Sequence, residues 1–270
     1  MVISLVLGLV VGLILALTGA GGGILAVPLL VFGAHIGVAK AGPIGLMAVG
    51  IAAALGAVLG LREGIVRYRA AMLVAVTGML FSPLGLWLAR QVENRRLSIL
   101  FALTLLYVAY KTYRKAKDKM AASVAAIETL DRKSPPCVRG SDSGRFIWTR
   151  PCAQALALSG SVAGLLSGLL GVGGGFVMVP ALQRNTDLEM QSIVATSLAV
   201  IALISLAGVV TSAVSGALAW AIALPFSVGA VVGMLGGRTL SSRLSGPNLQ
   251  IGFAAVSAIV AIGMIGKAVL

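Results

Sequence analysis

Residues 19–28 are G-A-G-G-G-I-L-A-V-P and residues 171–180 are G-V-G-G-G-F-V-M-V-P, two copies of G-x-G-G-G-x-x-x-V-P set 152 residues apart. Each copy interrupts an apolar run. A glycine cluster lets the backbone leave the helix, because glycine tolerates dihedrals closed to other residues. Inside a bilayer such open backbone survives only where protein buries it or where it lines a water-filled cavity. Matching interruptions in two halves of a chain are the sequence sign of a binding region built from broken helices. Pro28 and Pro180 follow the breaks, and each frees a backbone carbonyl nearby.

The surrounding composition is that of a membrane protein. The chain is 59% hydrophobic and 11% charged, with a mean hydropathy of +1.03; a soluble domain is about 45–50% apolar and about 25% charged. Several runs reach the roughly 20 apolar residues that cross a bilayer. The net charge of +13 does not point to nucleic acid, because ten of the 21 Lys and Arg lie between Lys111 and Arg150, in the one long polar segment. Basic residues beside spans set orientation and touch anionic membrane lipid. Met1 to Leu17 lacks the basic start of a cleaved signal and is expected to stay in the mature protein. Cys137 and Cys152 have no ligand cluster around them, so neither a metal site nor a disulfide framework is expected. In a cytoplasmic segment they would be reduced thiols.

The 152-residue offset extends well beyond the glycines. Without a gap it pairs Gly8 with Gly160, Gly12 with Gly164, Leu46 with Leu198, Gly56 with Gly208 and Phe101 with Phe253. Residues 1–118 and 153–270 are therefore expected to be duplicated halves of an all-α polytopic membrane protein, joined by a cytoplasmic linker at 119–152. Each half holds a glycine-broken or re-entrant helix followed by three transmembrane helices. In the first half the broken segment covers about 2–34, with its break at 18–23, and spans follow at about 41–61, 70–89 and 97–113. The second half repeats this at about 153–183, 193–213, 221–240 and 249–268. The linker is expected to extend the preceding helix to about Leu130 and to break at Ser134-Pro135-Pro136 and in the Gly/Ser run 140–144. Tyr68, Trp220, Tyr107, Tyr110, Tyr113, Phe146 and Trp148 fall near span ends, where aromatics anchor to the interface.

A broken segment that crosses fully makes the halves parallel; a re-entrant hairpin makes them inverted. With the linker inside, the inverted arrangement puts 16 of the 21 Lys and Arg inside and the parallel one 14, so the charge bias favours inverted repeats. Small-xxx-small spacing at Gly160-Gly164-Gly168, Gly229-Gly233-Gly237 and Gly56-Gly60 suits close helix crossing within the chain, and a homodimer is the alternative use.

The inventory of reactive groups excludes most enzymes. There is one histidine, His35, and the eight acidic residues lie in the linker or at span ends. No P-loop, H-E-x-x-H helix or nucleophile–base constellation occurs, and neither a metal nor a cofactor is expected. Deep carboxylates, the usual mark of cation carriers and proton pumps, are missing as well. What remains suits an anion. The helix after Gly19, Gly21, Gly22 and Gly23, and the one after Gly171, Gly173, Gly174 and Gly175, would each present unpaired N–H groups and a positive dipole end. Thr18 borders the first break, and Ser192, Thr196 and Ser197 open the span after the second. Lys40 occupies the first-half position matching Ser192. It would supply a counter-charge or snorkel to the interface.

The duplicated glycine motif, the A-T-S-L run at Ala195–Leu198 and the halves of about 118 residues resemble the TauE/SafE family, the sulfite exporters or toluene sulfonate uptake permeases. The resemblance covers nearly the whole chain outside the linker. It implies a secondary transporter in the cell inner membrane that carries small sulfur-containing anions such as sulfite, sulfoacetate or other organosulfonates. A proton or a sodium ion would be the coupling partner. An anion-selective channel is the alternative from another class, and a membrane scaffold or sensor module a third. One departure stands out: Gly42-Pro43-Ile44-Gly45 replaces the A-T-S-L-like run in the first half, which moves the expected site toward the second-half hydroxyls.

Overall fold

A computed structural model describes residues 2–19, 21–124, 137, 149–216, 218–244 and 247–269. The expected linker breaks at 134–136 and 140–144, and the anchors Phe146 and Trp148, lie outside these residues. The described residues form ten helices and no strand, the all-α fold expected. They are α1 (Val2–Thr18), α2 (Gly21–Gly33), α3 (Val38–Arg62), α4 (Tyr68–Gln91), α5 (Asn94–Val124), α6 (Arg150–Leu170), α7 (Gly175–Asn185), α8 (Met190–Val214), α9 (Trp220–Leu244) and α10 (Pro247–Val269). The succession α1–α5 matches α6–α10 element for element. By length and composition, α3, α4, α6, α8 and most of α9 can cross a bilayer. Their outer faces are apolar: Met72, Val76, Leu80, Leu84 and Trp87 form an exposed stripe along α4, in register with a helix turn. Tyr68, Tyr107, Tyr110, Tyr113 and Trp220 are exposed, as interfacial anchors must be.

The broken segment is a hairpin. A Cβ built on Gly22 falls on the backbone of Leu15, and one on Gly33 lies 2.5 Å from Leu7 Cδ1, so α2 returns along α1. At 13 and 11 residues, α2 and α7 span about 20 Å and about 17 Å, short of the ~30 Å hydrocarbon core. The turn at the first tip is tighter than the sequence implied. The chain reverses at Gly19 (φ 73°), and the helix resumes at Gly21 rather than after Gly23. Gly22 and Gly23 therefore sit within α2, where missing side chains let it approach its neighbours.

Each hairpin packs in the opposite half. Gly8 and Gly12 of α1 meet the backbone of Phe226 and Ala230 on α9, and Gly229 and Gly233 of α9 meet Leu5 and Leu9. The numbers rise together, so α1 and α9 run parallel. In the same way Gly160, Gly164 and Gly168 of α6 lie against Val74, Gly78 and Ser82 of α4. By contrast α3 and α8 run antiparallel: Gly50 faces Ser205, Gly56 faces Leu198, Gly60 faces Ala195 and Gly208 faces Leu46. Lipid provides no hydrophobic drive between helices, so this backbone-level packing supplies the cohesion. The small-xxx-small glycines thus serve contacts inside the monomer. Two polar contacts mark the opposite ends of the bundle. Arg238 donates to Glu63 Oε1 at 2.5 Å where α3 and α9 end, and Arg90 donates to Ser215 Oγ where α4 and α8 end.

One expectation fails. Cys137 and Cys152 are joined as a disulfide, with Cα atoms 4.9 Å apart, and both are fully buried. The cause is the second hairpin. By folding back along α6, α7 returns Asn185 to the level of Cys152, and Cys137 is held there by its N–H donating to the Asn185 carbonyl at 3.0 Å. Thr149 caps α6 beside it, its Oγ1 accepting from the Cys152 N–H at 3.3 Å.

The packing makes a paired prediction. A Cβ on Gly164 would overlap the Gly78 backbone, whereas one on Gly236 meets nothing within 4 Å. Gly164→Ala should lose about 1–3 kcal/mol of stability through overpacking. Gly236→Ala should hold or gain up to about 1 kcal/mol from helix propensity. Thermal unfolding of the detergent-solubilised variants measures both.

Candidate functional site

The two hairpin tips meet at the centre of the bundle, between the middles of α3 and α8. A Cβ on Gly23 would lie 2.5 Å from the Val172 carbonyl oxygen and 3.3 Å from Val49 of α3. One on Gly45 of α3 would lie 3.1 Å from the Gly171 carbonyl oxygen. Gly19 faces Val194 of α8, and Gly173 faces Ile201 and Ser205 of the same helix. Backbone thus touches backbone where the two motifs come together, and the side chains that would keep them apart are absent.

The tips differ in shape. The first turns through Gly19 and enters α2 at Gly21. The second is a longer loop with left-handed backbone at Gly171, Gly173 and Gly174 (φ 70°, 75° and 68°), and Gly174 is the residue before α7, which starts at Gly175. The Gly171 N–H bonds to the Ser167 carbonyl at 2.8 Å, while the buried N–H groups of Gly173 and Gly174 have no backbone acceptor among the described residues. Unpaired N–H groups at a helix start carry partial positive charge and can receive an anion.

The expected hydroxyls separate into two groups. At 3.6 residues per turn, Val194, Ser197, Ile201 and Ser205 fall on the stripe of α8 that faces the tips, and Ser192 and Thr196 fall on the other side. Thr196 is fully buried, and its Oγ1 accepts from the Arg67 N–H at 3.1 Å, which ties α8 to the start of α4. Ser192 is buried in the first turn of α8. Ser197 is also fully buried, and its Oγ donates to the Val194 carbonyl at 2.8 Å. Thr18 is half-buried beside the first tip and donates back to the Ile14 carbonyl at 2.7 Å. Lys40 lies on the exposed side of the first turn of α3, whose buried side carries Ala41, Gly42 and Gly45.

Sequence reasoning missed three serines. Ser82 of α4, Ser167 of α6 and Ser205 of α8 are fully buried, and their Oγ atoms have no hydrogen-bond partner. Ser205 Oγ lies 3.1 Å from the position a Cβ on Gly173 would occupy. Only the 152-residue register could have found these serines. Their repeat counterparts are Met234, Leu15 and Ala53, so none of the three hydroxyls is repeated at the matching position, just as Thr18 of the first tip is matched by Leu170. Among the described residues no Lys, Arg, Asp or Glu is buried, so the centre of the bundle is neutral and rich in donors.

Gly64 and Gly174 separate backbone strain from crowding. Both have positive φ (70° and 68°), but a Cβ on Gly64 meets nothing within 4 Å and one on Gly174 lies 2.6 Å from the Ala163 carbonyl oxygen. Gly64→Ala should cost about 1–2 kcal/mol of stability and leave transport unchanged. Gly174→Ala should abolish transport in protein that still inserts. Uptake by membrane vesicles, normalised to inserted protein, makes the comparison.

The chain has sequence relatives along most of its length. A "Probable membrane transporter protein" of Xylella fastidiosa (strain Temecula1 / ATCC 700964) is 27% identical over 250 residues, covering 91% of this chain and 86% of that one. "Probable membrane transporter protein YunE" of Bacillus subtilis (strain 168) is 26% identical over 253 residues, covering 90% and 89%. No solved structure matches. The family model described as "Sulfite exporter TauE/SafE" matches residues 4–264, both hairpins and nearly every helix around them, and the chain is accordingly a multi-pass membrane transporter of the sulfite exporter TauE/SafE family.

Proposed function

We propose that the protein is a secondary transporter that moves a small sulfur-containing anion, such as sulfite, sulfoacetate or another organosulfonate, across the inner membrane by alternating access. The observation that carries this reading is the meeting of the two glycine tips, Gly23 against Val172 and Gly45 against Gly171, at the centre of the bundle. A site there has neutral donors and a fixed dipole, which suit an anion. Inverted repeats give the site its two exits. Their support is the antiparallel pairing of α3 with α8 and the return of α2 along α1. A proton or sodium ion is the proposed coupling partner. Labelled-substrate counterflow in proteoliposomes separates carrier from channel: preloaded unlabelled sulfite should accelerate uptake of labelled sulfite, and a channel would show no such exchange.

Orientation follows from the same arrangement. Inverted repeats place Glu63 and Arg238 on the linker face and Arg90 and Ser215 on the other. The charge bias assigns the linker face to the cytoplasm, whereas the Cys137–Cys152 bond is of a kind that persists in oxidising compartments. We adopt the charge assignment, under which this bond forms only when the cytoplasm turns oxidising. In a background of Cys137→Ser and Cys152→Ser, an impermeant thiol reagent added to intact cells should label Ser215→Cys and not Glu63→Cys. Equal labelling of both would reject inverted repeats, and the reverse pattern would put the linker outside.

A further inference from the structure

We infer that the anion is held at the second tip only, by Ser205 Oγ together with the Gly173 and Gly174 N–H groups, and that this site selects singly charged oxyanions over doubly charged ones. The inference rests on the transport reading and deepens it. Ser205 is the first reason. Ser159, Ser161, Thr211 and Ser212 bond back to their own helix, whereas five buried serines, Ser82, Ser167, Ser205, Ser227 and Ser257, have no partner; of these five, Ser205 is the one set against a tip glycine. Ser205 makes no such bond, although it is fully buried, and its Oγ stands against Gly173. A buried hydroxyl without a partner is costly unless something else fills its valence.

The second reason is the one-sidedness of the polarity. The register pairs Gly208 with Gly56, and their surroundings correspond atom for atom in kind. Gly208 faces Leu46 and Ser82, and Gly56 faces Leu198 and Met234. The Ser82 hydroxyl beside Gly208 therefore stands where the Met234 Cε methyl stands beside Gly56. Ser205 likewise corresponds to Ala53. The hydroxyl beside the first tip, Thr18, donates back to the Ile14 carbonyl, whereas the second tip carries a buried hydroxyl without a partner.

Charge selection follows from the neutrality of those donors. Among the described residues no lysine or arginine is buried as a whole; Arg67, half-buried with a buried Nε, sits at the start of α4 beside Thr196, on the side of α8 away from the tips, and Lys40 is exposed. The cost of taking an ion out of water rises with the square of its charge, so a dianion pays about four times the Born cost of a monoanion. N–H and O–H dipoles answer the charge only in proportion to its first power. The ligands that fit are sulfonates with one charge and hydrogensulfite, rather than sulfate, fully deprotonated sulfite or, among the organosulfonates, the doubly charged sulfoacetate.

The test is equilibrium binding of methanesulfonate, sulfate and sulfite to purified wild-type, Ser205→Ala and Ser227→Ala protein at fixed ionic strength. Ser227 is a buried, unpartnered serine on α9 and serves as the control. Methanesulfonate should bind wild type and Ser227→Ala alike and should lose about 10- to 100-fold affinity in Ser205→Ala, the scale of a hydrogen bond to a charged group. Sulfate should bind at least tenfold more weakly than methanesulfonate, and sulfite affinity should fall as pH rises through the loss of its second proton. Wild-type affinity in Ser205→Ala would overturn the Ser205 contact while leaving the transport reading standing. Sulfate binding as tightly as methanesulfonate would overturn the charge selection. Failure of wild type to bind any of the three would overturn the sulfur-anion reading itself, and this inference with it.

Discussion

The fold depends on backbone lying directly against backbone. Between α1 and α9, and between α6 and α4, glycines at four-residue intervals bring two helices to a distance that any side chain would forbid. In water, burial of apolar surface would reward a looser fit. In lipid the alternative to a neighbouring helix is an acyl chain of equal polarity, so only the quality of the contact distinguishes the folded state. Van der Waals attraction falls away steeply with separation, and that steepness makes the glycine ladders the places where the two halves are joined. The charged contacts add little by comparison. Glu63 and Arg238 are partly exposed, with side chains 54% and 31% accessible, and an exposed pair contributes at most about 1 kcal/mol.

The same constraint shapes the centre. Two helix starts buried in a bilayer leave polar groups that must be answered by protein, water or ligand. At the first tip the turn is so short that the helix resumes almost at once. At the second, three left-handed glycines hold the chain open and leave the Gly173 and Gly174 N–H groups without a backbone acceptor among the described residues. Two copies of one motif thus give unequal ends: a compact one that packs and an open one that presents donors.

Much of this was legible in the sequence, for identifiable reasons. Length and hydropathy fixed the helices, because a span must carry about 20 apolar residues whatever its partners. The repeated motif located the breaks, since clustered glycine has few other uses inside an apolar run. Partners were harder to read. That α1 seats on α9 rather than on its own half depends on distance in three dimensions, and periodicity is silent about it. The disulfide was missed for the same reason: Cys137 meets Cys152 through the return of α7. Among hydroxyls, proximity in sequence does not tell which side of the helix a residue takes. Ser192 and Thr196 stand beside the second break in the chain, but they turn toward the far side of α8. Ser205 comes 13 residues after Ser192, about 20 Å along the helix, and faces Gly173.

The exchange of hairpins between halves also imposes an order in time. A ribosome completes α1, ending at Thr18, long before it reaches Trp220, where α9 begins. At about 5–20 residues per second, the interval is roughly 10–40 s. Throughout it, Gly8 and Gly12 have no ridge to receive, and the first hairpin stands in the bilayer with its packing face toward lipid. The second hairpin has no such wait, because α4 is already made when α6 emerges. The two halves, so alike on paper, therefore assemble by different routes: the later hairpin docks on arrival, and the earlier one is the last to be seated.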